Sequence, residues 1–339
     1  MDWQTQYLAD LEARLAPLRA LPDGTLFFEQ SGPQYVTVTK EDDNVLLWLL
    51  DRYADGSGVI QSELTLADPL NLVDPYTQAA LLGLLWSPRP RRIYTTGLGG
   101  GCLATALHYH LPATQIDCIE IDPVVVSAAA QCFGFRTDDR LRLGLADGRA
   151  WLAQTADDPP YDLLIFDAFL DNGYAPYAMA TREFAELCAQ RLAPDGVMVV
   201  NLLYLGNFYL ERIRSLAAVF EHVYLLRMGK DNDLVFASHA PLMEEPARHA
   251  AAEALAARLD VRFPLVTRAA MLTPLDAADL PGLDAAAELT DDAPPAAYFD
   301  GMPHLDGDDV HWPAEHPCLC GSGRPYALCH GQQAAPATN

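Results

Sequence analysis

From residue 92 the chain alternates short β-type apolar runs with helical ones, and this rhythm constrains the fold more than any other feature of its 339 residues. "RIYTT" reads as a strand, "GCLATALHYHL" as a helix, "QIDCIEI" as a strand and "DPVVVSAAAQCF" as a helix with Asp122 as N-cap and Pro123 at its first position. "RLRLGLA" and "YDLLIFDAF" follow as strands, "TREFAELCAQRL" as a helix ended by "APDG", and "VMVVNLL" as a strand. Such strand–helix–strand units close by right-handed crossovers into a parallel sheet covered on both faces. Near the end the order changes. "HVYLLRM", "GKDND" and "LVFASH" read as a hairpin, so an antiparallel strand completes the sheet.

The segments around this core differ in pattern. Residues 1–20 place Tyr7, Leu8, Leu11, Leu15 and Leu18 at helical spacing. "TLFFEQ", "QYVTVTK", "NVLLWLL" and "GVIQSELT" read as an antiparallel meander, and "DPYTQAALLGLLW" as a helix stopped by "SPRPRR". Residues 240–300 are rich in Ala, Pro and Asp, with a helix over "EEPARHAAAEALAARL" and loop beyond it. The expected organisation is an N-terminal helix (1–24), a small β-rich domain (25–88), a Rossmann-like domain (89–300), a linker (301–316) and a cysteine-rich tail (317–331). Half the residues are hydrophobic, enough for a sizeable core. No run of about 18 apolar residues and no signal-peptide core is present, so the expectation is a cytoplasmic protein without a membrane span. The formal net charge of −24 argues against nucleic-acid binding and is compatible with a small cationic substrate.

In open α/β sheets ligands sit beyond the carboxyl ends of the strands. After the first strand comes "TTGLGGGCLA", with Gly97, Gly99, Gly100 and Gly101 opening a helix. After the second, third and fourth strands stand Glu120, Asp147 and Asp167. The glycines are expected to leave room for a ligand at the helix N-terminus. Glu120, 19 residues beyond Gly101, is placed to accept from two ribose hydroxyls. Asp147, next to Gly148, can accept from an adenine amine or cap a helix, and Asp167 faces the space left for the reacting group. A dinucleotide dehydrogenase needs the glycines and the second-strand acid but not the two later acids. His108 and His110, two apart on a helix, do not share a face and are given no ligand role.

With "GVIQS", "DPYTQ", "GLGGG", "IEIDPVVV", "LADGRAWL", "YDLLIFDAF" and "LTDDAPP" in this order, residues 25–295 resemble the spermidine synthase family, the polyamine aminopropyltransferases. The resemblance implies an α/β Rossmann-like S-adenosylmethionine-dependent methyltransferase fold with a small N-terminal β domain. It implies decarboxylated S-adenosylmethionine as donor and a cationic amine as acceptor. Glu120 would hold the ribose, Asp147 with Gly148 the adenine, and Gly97, Gly99, Gly101 and Gln61 the rest of the donor. Tyr76 and Asp171 would hold the polyamine, and Asp167 would take the proton of the attacking amine. Four positions depart from the family pattern. Gly100 stands where the family carries an aspartate that holds the donor's amine, Thr77 and Gln78 stand for His-Glu, and Asp171 comes one residue late. The adenosine half is intact and the aminopropyl half altered, so methyl transfer from S-adenosylmethionine itself and a non-catalytic adaptor stay open as alternatives. A homodimer is an option that no residue specifies.

Cys102, Cys118, Cys132 and Cys188 read as reduced core residues. "PCLCGSGRPYALCHG", residues 317–331, resembles the SEC-C motif. Its C-x-C-x8-C-H spacing offers Cys318, Cys320, Cys329 and His330 as a closed tetrahedral Zn2+ knuckle, a structural site that would dock a protein partner.

Overall fold

The computed structural model describes residues 2–32, 34–51, 57–169, 175–204, 208–229, 232–299 and 310–311. Helix α1 (Trp3–Arg19) is capped by Asp2, whose Oδ1 accepts from the Thr5 N–H at 2.9 Å, and it buries Leu11, Leu15 and Leu18. Strands β1 (Gly24–Ser31), β2 (Gln34–Glu41), β3 (Asn44–Asp51) and β4 (Ser57–Thr65) form an antiparallel meander. The single helix expected after it divides into α2 (Pro75–Ala80) and a 3-10 turn over Leu81–Leu85. The cause lies in the approach to the core. A Cβ on Gly83 would stand 2.6 Å from the Leu163 side chain, so the chain tightens where it presses on the main sheet.

That sheet is built from β5 (Arg92–Thr96), α3 (Cys102–His110), β6 (Gln115–Glu120), α4 (Pro123–Cys132), β7 (Leu141–Leu145), α5 (Gly148–Gln154), β8 (Tyr161–Phe166), α6 (Arg182–Arg191) and β9 (Leu192–Leu203). Then come α7 (Tyr209–Ala217), β10 (His222–Arg227), β11 (Asn232–Ser238), α8 (Ala247–Leu259), α9 (Leu265–Ala270) and β12 (Thr273–Pro274). The strand order is β12-β10-β11-β9-β8-β5-β6-β7. Strands β5 to β9 pair in parallel, and β11 runs antiparallel between β9 and β10 as the hairpin pattern requires. Helix α7 was not legible in the sequence, and α9 and β12 occupy a stretch read as loop. Two residues of the expected linker, β13 (Val310–His311), pair with β4 at the edge of the first sheet. The result is a Rossmann-like methyltransferase fold with an N-terminal β sheet. Among the described residues no helix is long and apolar enough to cross a membrane.

Two buried clusters show which polar groups serve the fold. His108, 0% exposed, sets Nε2 2.9 Å from Asp138 Oδ2 and meets the rings of Trp3 and Tyr7 edge-on, so it fastens α1 to the body. Asp117, 1% exposed, accepts from Arg92 at 2.9 Å, Arg142 at 2.6 Å and Tyr161 at 2.8 Å. Burial would raise its pKa, but these donors outweigh that and hold it below the usual carboxylate range.

Candidate functional site

Strand β5 has β6 on one side and β8 on the other, so the chain reverses direction at β5 and opens a crevice at the carboxyl ends of these strands. The glycine segment crosses it. Gly97, Gly99 and Gly101 have φ of 87°, 52° and 77°, values that only glycine adopts cheaply. The missing side chains do not face open space, as the expectation of room for a ligand required. A Cβ on Gly97 would lie 1.9 Å from the Asp167 carbonyl oxygen, one on Gly99 2.4 Å from Ser62 Oγ, and one on Gly101 2.6 Å from the Phe135 ring. Protein crowds the loop from below. A Cβ on Gly100 would meet the Phe133 ring at 2.5 Å, so an acid there needs Phe133 to move.

Glu120, the last residue of β6, binds the loop directly. Its Oε2 accepts from the Leu98 N–H at 2.8 Å, and its Oε1 accepts from the N–H groups of Ile121 and Asp122 at 2.8 and 2.9 Å. Burial raises its pKa against these three donors. Asp147 is exposed beyond β7 and caps α5, with Oδ1 accepting from the Ala150 N–H at 2.8 Å. Gly148 is a packing glycine, because a Cβ there would stand 2.6 Å from Thr96 Oγ1 and 2.7 Å from the Tyr94 hydroxyl. Two apolar side chains flank these acids in solvent, Ile121 at 67% exposure and Leu145 at 58%. Exposed apolar groups beside carboxylates suit a flat, partly apolar ligand with polar edges.

The N-terminal sheet closes the other side of the loop. Ser62 Oγ on β4 accepts from the Gly100 N–H at 2.8 Å and donates to the Gln61 carbonyl at 2.6 Å. The Gln61 carbonyl holds the Ser62 hydroxyl, and it is the Ser62 side chain, which sequence reasoning missed, that bonds the loop.

Asp167 follows β8, and its backbone N–H donates to the Thr96 carbonyl at 3.0 Å. Its Oδ1 accepts from Asn201 Nδ2 at 2.8 Å, and its carboxyl also hydrogen-bonds the Tyr76 hydroxyl. Burial raises its pKa to about 6, although the Asn201 and Tyr76 hydrogen bonds pull the other way. Asp74, at the start of α2, is raised to about 7 by burial and then by the charges of Asp167 and Glu63. Whichever of the two carboxyls ionises first makes the second harder to ionise. Unlike Asp117, these acids answer chiefly to neutral donors and to other carboxyls. Such a cluster favours a cation. Beside it lies a small cavity of about 10 Å³, room for about one water, lined by Tyr76, Thr77, Leu103, Phe166, Asp167 and Asn201. A larger recess, about 180 Å³, lies by Leu225, Arg227 and Asp276 at the sheet edge, three strands from β8.

The structure therefore brings Tyr76 and Asp167 together and adds Asp74 and Asn201, which sequence reading passed over. Thr77 lines the small space, whereas Gln78 serves the fold. Its amide donates to the Leu72 carbonyl at 2.7 Å and its carbonyl accepts from Arg268 at 2.6 Å. Asp171, Cys318, Cys320, Cys329 and His330 lie outside the described residues.

Known proteins resemble parts of this chain. Residues 78–212 match the spermine/spermidine synthase domain, and residues 317–332 match the SEC-C motif. The polyamine aminopropyltransferase of Vibrio vulnificus is 33% identical over 189 residues, covering 55% of this chain and 62% of that protein. The eEF1A lysine and N-terminal methyltransferase of Homo sapiens is 32% identical over 176 residues, 47% of this chain and 25% of that one. The chain thus spans less than two thirds of the length of these relatives. A probable spermidine synthase from Corynebacterium glutamicum has the same fold, with a TM-score of 0.60 over 82% of this chain and 99% of that one at 19% identity. The likeness is thus to a spermine/spermidine synthase domain over residues 78–212, followed by a match to the SEC-C motif.

Proposed function

We propose that the protein alkylates a small cationic amine with an adenosyl sulfonium donor, moving an aminopropyl group from decarboxylated S-adenosylmethionine. The observation that carries this reading is the acid cluster of Asp167, Asp74 and Tyr76 directly beyond the glycine loop. In it, Glu120 takes the donor's ribose, Asp147 the adenine edge, and Ile121 and Leu145 the base faces. An ammonium ion drawn to the cluster gives its proton to the Asp167 carboxylate. The freed amine nitrogen then attacks the carbon next to sulfur. As the new C–N bond forms the C–S bond breaks, and its electron pair stays on sulfur as neutral methylthioadenosine. Burial places the base near the working pH, where general-base catalysis is efficient, and positioning supplies most of the remaining acceleration.

A second reading, methyl transfer from S-adenosylmethionine, is favoured by Gly100. The Phe133 ring fills the direction an acid would take, so no carboxylate there repels the donor's own carboxylate. The human relative, named a methyltransferase, is also compatible with it. The test is to incubate the full chain with each donor and a panel of diamines and monoamines and to identify products by mass spectrometry. Methylthioadenosine with an aminopropylated amine is the expected result. S-adenosylhomocysteine would transfer the assignment to methylation, and neither product would remove the enzymatic reading.

The tail belongs to the same proposal. Three thiolates and one imidazole, from Cys318, Cys320, Cys329 and His330, match the donor set of a closed tetrahedral Zn2+ site whose role is to fold a knuckle for docking. One zinc per chain is expected by elemental analysis. Cys320→Ser should lose it while donor affinity stays within about twofold, because the residues proposed to hold the donor, from Gln61 to Asp147, lie outside the tail sequence. Zinc retained in that variant would overturn the assignment.

A further inference from the structure

We propose that Asn201, held in one orientation by Asn232, is a positioning residue for Asp167: it occupies one carboxylate oxygen and leaves the other to the incoming amine. The inference rests on Asp167 being the base of the proposed reaction.

The register of the sheet makes the arrangement. Phe166 of β8 lies beside Val200 of β9, so the next residues, Asp167 and Asn201, adjoin. Asn201 faces Leu234 of β11 and Asn232 faces Leu203, which makes the two asparagines diagonal neighbours on one face. Asn201 is 5% exposed within the apolar run of β9, and a polar group buried there needs partners. It has two. Its Nδ2 donates to Asp167 Oδ1 at 2.8 Å, and its Oδ1 accepts from Asn232 Nδ2 at 2.8 Å. A carboxylate oxygen can only accept, so the amide nitrogen of Asn201 must face Asp167 and its oxygen must face Asn232. A flip would break both bonds, and Asn232 thereby fixes the direction of the donor.

This donor also sets how readily Asp167 ionises. The titratable groups around Asp167 are Tyr76 and Asp74 from α2 and its cap, with Glu63 of β4 acting on Asp74 and Cys102 of α3 acting on Tyr76. Burial pushes Cys102 up to about 12, so it stays a thiol, and burial with the nearby acids holds Tyr76 well above 10, so it stays a phenol. Asp74 opposes the charge on Asp167. The Asn201 amide and the Tyr76 hydroxyl favour it.

Asn201→Leu keeps the volume and removes the amide. Its kcat is expected to fall about 10- to 100-fold, the scale of a misplaced catalytic group, with KM for the donor within about twofold. The acid limb of the pH–rate profile should move to higher pH. Asn232→Leu should move both in the same direction by less, because Asn201 remains but is free to turn. A purely structural role would change melting temperature and leave the acid limb where it is, and that result would overturn the proposal. A second readout does not need turnover. In chain labelled with 13C at aspartate carboxyls, the Asp167 resonance, assigned with Asp167→Asn, should titrate at higher pH in Asn201→Leu than in the unsubstituted chain. An unchanged midpoint would overturn the proposal even if neither donor is consumed, whereas a shifted midpoint without turnover would sustain it and sink the amine-alkylation reading alone.

Discussion

Turnover by the Asp167→Asn chain is expected to fall by about 10²- to 10⁴-fold, the range that a positioned general base contributes, while calorimetric donor affinity stays within about threefold. The asparagine keeps the size of the side chain, and its carbonyl can still accept from Asn201. What it loses is the negative charge that draws the ammonium and the oxygen that takes its proton. In the unsubstituted chain the rate should drop as pH falls through about 6, where Asp167 takes up a proton. The same substitution should affect stability in the opposite sense. The Asp167 carboxyl is raised from an ordinary 3.8 to about 6 in the folded chain. Between those values the folded state binds a proton that the unfolded state does not, so this group's contribution to stability falls as pH rises through the window and stays lost above it. Asp74, raised to about 7, adds to the same trend over a wider window. At pH 8 the Asp167→Asn chain should therefore melt at a higher temperature than the unsubstituted one, although it is inactive. A lower melting temperature with activity retained would remove Asp167 from the role of base.

How much of this was legible in the sequence depends on how local the cause is. The β–α alternation from "RIYTT" onward and the closing hairpin follow from periodicity, which sequence displays directly. Asp122 before Pro123 announced its cap, and its Oδ1 does accept from the Val124 N–H at 2.8 Å. Glu120, Asp147 and Asp167 could be picked out because a strand end is a local feature. The reason for the glycines was not local. Phe133, Phe135, Ser62 and the Asp167 carbonyl crowd them from other parts of the chain. Asp74 resembled an ordinary helix cap in "DPYTQ", and only its nearness to Asp167 and Glu63 gives it another character. Asn201 did leave a signal, a lone amide inside "VMVVNLL", but its partner Asn232 lies 31 residues away across a strand pairing.

Glu120→Gln is expected to cut donor affinity by about 100-fold and to destabilise the fold by roughly 1–3 kcal/mol, the cost of a buried donor left without an acceptor. Glu120 has two jobs at one carboxylate. It ties the glycine loop to β6 through Leu98, Ile121 and Asp122, and in the proposed reading its remaining lone pairs accept from the ribose. An amide of the same shape cannot do both. If its NH2 group takes the place of Oε2 it confronts the Leu98 N–H, and if it takes the place of Oε1 it confronts those of Ile121 and Asp122. Either way at least one backbone donor loses its acceptor and the loop loosens where the donor must lie. The effect on turnover should therefore appear in KM for the donor more than in kcat, the reverse of Asp167→Asn. Titration calorimetry with S-adenosylmethionine and its decarboxylated form, beside thermal melting, separates the two jobs. A lowered melting temperature with unchanged donor affinity would leave Glu120 as a loop anchor only and would move the ribose contact elsewhere in the crevice.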